Sequence, residues 1–438
     1  MRRTKRLIAI AMITVLAVSL CFAGGSSEGA SAKGSGGKTT ISMTWWGDTK
    51  RNEVYNAVID EFEKANPGVA VERPFGTWAN FFDKLSTQIA GGVAPDVIGM
   101  HQRYVSEYAA RNALLDLQPY VDSGILDLSD VPASVVEAGK VNGKLYMIPQ
   151  GITGSGIGYY TTTFDDLGVA YPNPNWTWDE YVACLTALKK AADATGKRNF
   201  WPSADLSNDF YNFSYWVRAK GENLFTEDGE LGFTKATMIE WFDLWTKLRK
   251  EGMIVDAATS VEYVGIPLEQ SLMATGQVAI AGMPASQLWL YQALVTDGGT
   301  YNIVRFPNFA DGPAPEYVSG AFYTVNARSA HPEDAVRLIS FFINNPTAQQ
   351  IFKQEQGLPP ANKAVEYLAS SATDAERRSI EFIQDSLVPN ASPEPYPPTG
   401  YNEINSNYVN FANAVAFGEM TSAQATDSFF KISESILN

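Results

Sequence analysis

Short apolar runs alternating with amphipathic helical stretches constrain this chain more than any other feature. Residues 41–46 (ISMTWW) have the length and composition of a strand. Across residues 51–65, Val54, Val58, Ile59 and Phe62 recur at helical spacing, and Asn66-Pro67-Gly68 stops the pattern. Residues 69–73 read as the next strand, 80–90 as a second helix closed by Gly91-Gly92, and 97–100 as a third strand. This order places helices over a largely parallel sheet, so the fold class is α/β.

The same grammar continues. Asn142-Gly143 is a turn signal ahead of the extended residues 144–149, and residues 157–162, 278–281 and 323–326 read as strands. Residues 178–192, 235–250 and 332–344 carry helical periodicity, with Thr177 and Glu180 spaced as a capping box. Residues 374–438 are mostly helical apart from the Pro-rich stretch 389–398. With 438 residues, 45% hydrophobic and 18% charged, the chain can fill two separate cores.

The N-terminus is a different kind of segment. Arg2, Arg3, Lys5 and Arg6 precede an apolar run at residues 7–20 and then small residues, the pattern of a secretory signal peptide over residues 1–23. The run falls short of the ~20 residues that span a bilayer. Val18-Ser19-Leu20-Cys21 loosely matches a lipoprotein box, which would put a lipid anchor on Cys21; cleavage after Ala23 is the other option. Residues 24–38 form a flexible Gly/Ser linker. The expected location is the periplasm or the outer face of the cytoplasmic membrane.

Composition excludes several function classes. The formal net charge is −15, and loss of the leader removes only positive charges, so nucleic acid is not an expected partner. Cys184 is the one cysteine beyond the leader, which rules out an internal disulfide. His101 and His331 are the only histidines, whereas metal sites and His-based triads need clusters, so no metal or cofactor is expected. Gly154-Ser155-Gly156-Ile157-Gly158 looks like a nucleotide loop but leads into strand-like residues rather than a helix.

A set of motifs then falls in a telling order. It comprises Trp45-Trp46-Gly47-Asp48, FEKANPGV from Phe62, Ala90-Gly91-Gly92-Val93-Ala94-Pro95-Asp96-Val97, and Gly143-Lys144-Leu145-Tyr146 with Ile148-Pro149. Trp176-Thr177-Trp178-Asp179-Glu180-Tyr181, Gly276-Gln277-Val278-Ala279-Ile280, Pro332-Glu333-Asp334-Ala335 and Gly357-Leu358-Pro359-Pro360 complete it. In this order, behind a signal peptide, the chain resembles the family 1 extracellular solute-binding proteins, the group containing the maltose-binding protein. The resemblance implies a two-lobed periplasmic-binding-protein clamshell of type II-like topology, each lobe a sheet flanked by helices. The chain would cross the hinge about three times, near residues 149–152, 318–322 and 366–370. Lobe I would comprise residues 39–150 and 320–368, and lobe II residues 151–319 and 369–438. It also implies a monomer without catalytic activity that takes a carbohydrate ligand to the permease subunits of an ABC importer.

A sugar offers hydroxyls at its rim and C–H groups on its faces, so its binder needs flat aromatic rings and fixed polar forks. In open α/β sheets the ligand lies beyond the carboxyl ends of the strands. After the first strand stand Trp46 and Asp48; adjacent tryptophans point to opposite faces, so one is expected in the core and one near the cleft. Trp78 follows the second strand at a loop-to-helix entry, and Gln102 and Arg103 follow the third. In the maltose-binding relatives a carboxylate and an arginine follow this strand. Arg103 falls near the carboxylate position, a departure that points to a different sugar, one with an acidic group among the options; a plain surface bridge is the alternative.

In the second lobe Trp201 and Asp205 are candidates, with Asp209 and Tyr211 near positions where relatives place an acid and a stacking aromatic. Met283 lies in a loop where the maltose binders carry a tryptophan beside the proline; here Ala285 follows Pro284. Gly320 and Phe322 stand at the second crossing, Gly320 either offering a backbone N–H to ligand or serving only as a hinge. Tyr401 and Asn405 open a late helix. A sensor subunit that presents its ligand to a receptor rather than a permease is one rival reading, and nothing in the sequence separates those partners; two others differ in ligand or in chemistry. One keeps the fold for a non-sugar solute such as a phosphorylated polyol or a polyamine. The other is a secreted carbohydrate-processing enzyme, which would need two carboxylates about 5–9.5 Å apart across a cleft.

Overall fold

The structure, a computed structural model, describes residues 38–47, 49–312, 316, 319–387 and 396–438. The expected leader with Cys21, nearly all of the Gly/Ser linker, Asp48, Val318 and most of the Pro-rich stretch lie outside the described residues, as does the side chain of Arg103.

Along the chain, β1 (Thr39–Trp46), α1 (Thr49–Ala65), β2 (Val69–Glu72), β3 (Phe75–Gly76), α2 (Trp78–Ala90), β4 (Val97–His101) and α3 (Gln102–Ala110) come first. The pair β5 (Lys140–Val141) and β6 (Lys144–Leu145) precedes β7 (Ile148–Thr153) and β8 (Ser155–Tyr160). Next are α4 (Trp178–Thr195), β9 (Trp201–Ser203), α5 (Phe210–Ala219), α6 (Lys235–Lys250), β10 (Val278–Pro284) and β11 (Tyr301–Val304). The chain continues with β12 (Ser319–Val325), α7 (Pro332–Asn344), α8 (Asp374–Glu381), α9 (Tyr401–Ala416) and α10 (Ser422–Leu437).

These strands build two sheets. The first has the order β2-β1-β4-β12-β7, with β3 paired to the end of β1. β2, β1 and β4 are parallel, and β12 runs antiparallel between β4 and β7. The second has the order β11-β8-β10-β9, with β9 and β10 parallel and β8 antiparallel to both its neighbours. Val141 and Lys144 are joined through Asn142 and Gly143, both at positive φ (51° and 76°), a turn that suits a two-residue hairpin.

Alternation along β1 supplies the core of the first lobe. Ile41, Met43 and Trp45 point to one face, where α1 adds Tyr55, Val58, Ile59 and Phe62 and α7 adds Leu338, Ile339 and Phe342. Trp46 points to the other face and packs with Phe81, Phe82 and Leu85 of α2, Val105 and Tyr108 of α3, and Ile98 and Met100 of β4. The second lobe is held by an aromatic core in which Trp178, Trp216, Trp241, Trp245 and Tyr408 meet from α4, α5, α6 and α9. Edge-to-face pairs such as Trp178–Trp216 (5.0 Å) and Trp241–Trp245 (5.1 Å) account for much of the tryptophan content.

Element boundaries differ from the sequence expectations at places that matter. The strand expected at 157–162 runs from Ser155 to Tyr160, because Thr161 already begins a short helix. β12 begins at Ser319 rather than Tyr323. Trp201 is itself the first residue of the short strand β9.

Between the two sheets the chain has little slack. β7 ends at Thr153 in the first sheet and β8 begins at Ser155 in the second, leaving Gly154 alone between them. Beside this crossing, Ile152 and Leu358 exchange backbone hydrogen bonds of 2.6 and 2.7 Å. A buried polar group sits beneath it. Tyr55 donates through Oη to Gln150, and Gln150 Nε2 donates to the Phe322 carbonyl at 2.6 Å.

Candidate functional site

The carboxyl ends of β1, β4 and β7 in the first sheet lie on the side where the chain crosses to the second lobe. The carboxyl end of β10 meets them there, since Ala285 N–H donates to the Gly154 carbonyl at 2.9 Å. The site is therefore assembled from strand ends and from the helices that follow them.

On the first lobe the prominent group is Trp78. Its indole is 41% exposed at the start of α2, yet several rings hold it edge-on: Trp46 at 5.2 Å, Phe82 at 5.3 Å, His101 at 5.3 Å and Tyr104 at 6.1 Å. An exposed ring braced in this way is a ready stacking surface. Of the adjacent tryptophans, Trp45 is fully buried and stacked on Tyr55 at 4.6 Å. Trp46 is only 6% exposed and acts as the floor under Trp78. Both are therefore packing residues, and the role foreseen for Trp46 passes to its neighbour. Gln102, half-buried, forms the first residue of α3.

At the crossing, Thr153 ends β7 with its Oγ1 buried and without a hydrogen-bond partner among the described residues. Gly320 pairs with Ile152, and a Cβ placed on it would lie 2.2 Å from the Gly151 carbonyl oxygen. Close backbone packing thus explains this glycine. Phe322 is buried in the first-lobe core and does not reach a cleft.

On the second lobe, Tyr211 stands in the first turn of α5, its N–H accepted by Asp209 Oδ1 at 2.8 Å. Asp209 therefore serves as the N-cap of that helix. The hydroxyls of Tyr211 and Tyr215 are 3.3 Å apart, and Tyr215 Oη accepts the Ser155 N–H at 3.1 Å, which ties α5 to the crossing. Burial pushes the Tyr215 phenol well above its ordinary value, with the neighbouring Tyr211 adding to the effect. Asn212 lies beside Gly282, where a Cβ would meet its side-chain oxygen at an ordinary 3.6 Å and Leu206 Cδ2 more tightly at 3.2 Å.

Several expected residues are committed elsewhere. The Asp205 side chain is 1% exposed; it pairs with Arg249, accepts from Ser260 Oγ at 2.9 Å and accepts the Ser207 N–H at 2.9 Å. Trp201 pairs with Val278, the first residue of β10, and so lies at the strand end away from the crossing. Met283 is buried, its Sδ filling the space over Gly158. Tyr401 is buried against Phe210 and Phe225. Asn405 is half-buried on α9. The structure thus brings Trp78, Gln102 and Tyr211 to the strand-end side and leaves Asp205, Trp201, Met283, Phe322 and Tyr401 out of it.

His101, Thr153 and Asn212 were not among the site residues expected from the sequence. The first two terminate β4 and β7, at the carboxyl strand ends where a ligand is expected. Asn212 lacked any such signal.

Next to Gln102 opens a groove of about 870 Å3. One wall is a stripe of α3 with Ser106, Ala109 and Ala110, continued by the β5–β6 hairpin; the other comes from residues 227–229 and 396–399. Tyr396 bridges the walls by donating through Oη to the Ala138 carbonyl. A smaller cavity of about 380 Å3 lies on the second lobe beside Cys184, whose thiol is pushed up to about 12 by burial. No group of three or more metal-capable side chains occurs among the described residues. No helix among them is long and apolar enough to cross a membrane.

Comparison with known proteins agrees with this architecture. An extracellular solute-binding protein family 1 structure from Alicyclobacillus acidocaldarius superposes with a TM-score of 0.73 at 26% identity, covering 92% of this chain and 99% of that one. A periplasmic oligogalacturonide binding protein from Yersinia enterocolitica, solved with saturated digalacturonic acid, gives 0.77 at 20% identity, with 91% and 99% covered. The multiple sugar-binding protein of Streptococcus mutans is 23% identical over 70% of this chain and 72% of its own length. The profile of the family described as bacterial extracellular solute-binding protein matches residues 46–349, and the chain belongs to that family.

Proposed function

We propose that this protein is exported, captures a carbohydrate between its two lobes and hands it to the permease subunits of an ABC importer. The observation that carries the sugar reading is Trp78, an exposed indole braced by Trp46, Phe82, His101 and Tyr104 at the strand-end side of the first lobe. Gln102 at the start of α3, Thr153 at the end of β7, and Tyr211 and Asn212 in the first turn of α5 add polar groups from the two lobes, the mixture that a polyhydroxylated ring requires. The sugar ligands named for the Yersinia and Streptococcus relatives support the same class.

The lobes would divide at Gly154, in the stretch before β12 and in the turn before α8. A solute that touches both lobes binds a closed form better than an open one and shifts the population toward it. A move from 1% to 99% closed takes about 5.5 kcal/mol of differential affinity. The basic leader and its apolar run would direct export, with retention through Cys21 or release after Ala23.

Titration calorimetry of the mature chain against neutral and acidic mono- and oligosaccharides tests the reading, with small-angle scattering to follow closure. Saturable binding accompanied by compaction is the expected result. Hydrolysis products in the cell, or tight binding confined to polyamines or phosphorylated polyols, would overturn it.

A further inference from the structure

Tyr211, Tyr215 and Arg218 recur at helical spacing along one face of α5. Tyr211, in the first turn, belongs to the candidate site. Four residues on, Tyr215 is fully buried, its ring edge-on to Tyr211 at 5.5 Å and stacked on Phe306 at 4.0 Å. Arg218 is also buried, and its charge acts on Glu316, the partner of Arg305 in the stretch before β12. One helix face thus runs from the candidate site to two places where the chain passes between the sheets.

The Tyr215 hydroxyl takes a place that a strand would otherwise fill. β11 accompanies β8 as far as the Val304–Ile157 pair, and the two are tight there: a Cβ on Gly156 would lie 2.5 Å from the Val304 carbonyl oxygen. Beyond that pair β11 ends, and the Ser155 N–H is accepted at 3.1 Å by Tyr215 Oη. Ser155 opens β8, with only Gly154 between it and the end of β7 in the other sheet. The same Oη is 3.3 Å from the Tyr211 hydroxyl. Burial, the neighbouring Tyr211 and the negative charge of Glu316 all keep the proton on Tyr215. At neutral pH its hydroxyl therefore has a proton to donate as well as lone pairs to accept with. Hydrogen bonds that share an oxygen polarise one another, so a change at one end of such a chain is felt at the other.

We infer that Tyr215 is a positioning residue: through one oxygen it couples the Tyr211 hydroxyl to the Ser155 amide at the passage between the sheets, so that a solute engaging Tyr211 also biases how the lobes are set there. The hydrogen-bonded link stands on the geometry alone; its use by a solute rests on the reading given above. Coupling of this kind is an interaction free energy between two sites, which a double-mutant cycle measures.

The test compares the mature wild-type chain with Tyr211→Phe, Tyr215→Phe and the double variant. Tyr215→Phe keeps the ring against Phe306 and removes only the hydroxyl. Amide hydrogen exchange at Ser155, read by NMR without ligand, should speed up about five- to tenfold in Tyr215→Phe, the equivalent of one lost hydrogen bond, while amides in the middle of β10 stay as they were. Tyr211→Phe should speed the same amide about two- to threefold, and adding it to Tyr215→Phe should change nothing further. Calorimetry and small-angle scattering with maltose, maltotriose and digalacturonate form the second arm. A sugar that binds the wild type should bind Tyr215→Phe about three- to tenfold more weakly and compact it less. Unchanged Ser155 exchange in Tyr215→Phe, additive effects of the two single changes, or full compaction of Tyr215→Phe at wild-type affinity would overturn the inference. Should Tyr215→Phe fail to fold, the Ser155 amide in Tyr211→Phe decides alone, and wild-type exchange there would overturn it. If none of these sugars binds the wild type, the carbohydrate reading loses its support, while exchange at Ser155 still decides the coupling.

Discussion

Gly320 and Gly151 face each other so closely that a methyl group on Gly320 would lie 2.2 Å from the Gly151 carbonyl oxygen. Gly151 is crowded in turn, since a Cβ there would sit 2.5 Å from the Gln356 carbonyl oxygen. Three backbone segments therefore meet where the chain passes between lobes. Gly320→Ala should cost about 2 kcal/mol, the usual penalty for overpacking against an atom that cannot move aside. Gly68→Ala, with no heavy atom within 4 Å of the added carbon, should stay within about 0.5 kcal/mol. Urea unfolding of the two variants makes the comparison, and equal midpoints would refute it.

Neighbouring positions in one aromatic surface should respond in opposite ways. Trp78→Ala removes an exposed ring and should leave the unfolding midpoint nearly unchanged, while solute affinity drops about tenfold, the worth of a stacked ring. Trp45→Ala empties a fully buried site stacked on Tyr55 and should cost about 3–5 kcal/mol. Thermal unfolding and calorimetry with the cognate solute separate these effects; a large stability loss at Trp78 would contradict the platform.

Asp205 illustrates a carboxylate whose value is structural. Replacing it by alanine leaves Arg249, itself mostly buried, without its partner, and breaking a buried pair typically costs about 3–5 kcal/mol. The variant that remains folded at low temperature should bind solute with unchanged affinity. A selective loss of affinity with stability intact would return Asp205 to the binding site.

Alkaline pH should unfold the protein. Tyr55, Tyr181, Tyr215, Tyr323 and Tyr408 are fully buried, and desolvation raises every one of their phenols above the ordinary value of 10.0. A group whose folded value is raised holds its proton more tightly in the native state. Its contribution to stability is complete below the unfolded value near 10 and is lost as pH climbs beyond it. Tyr108, pushed up to about 12, adds to the same trend. Phenolate absorbance should show the exposed tyrosines titrating first and the buried set only together with unfolding. One smooth titration of all tyrosines near pH 10 would contradict the burial.

Local rules carried much of the fold. The capping box at Thr177 forms as its spacing indicates, with Thr177 Oγ1 accepting from Glu180 N–H at 3.2 Å and Glu180 Oε2 accepting from Thr177 N–H at 2.7 Å. Along α1 the apolar stripe places Val58, Ile59 and Phe62 in the core; its fourth buried member is Tyr55 rather than Val54. What stayed hidden depends on partners far away in sequence. Asp205 is claimed by Arg249 and Ser260, and Met283 by the hollow over Gly158; no periodicity announces either. Adjacent tryptophans do point to opposite faces, but a sheet covered on both sides buries both of them. For that reason the exposed indole had to come from the helix entry at Trp78.

The position of β12 has a consequence for the order in which the two lobes can be completed. This strand lies inside the first sheet, between β4 and β7, although the whole second sheet is synthesised before it. Until a ribosome has made residue 325, the first lobe lacks an interior strand, and the nascent polypeptide has no complete sheet there to collapse onto. The closing of the first sheet is thereby tied to a strand that arrives only after the second lobe's strands, so the two lobes cannot be completed one after the other in chain order.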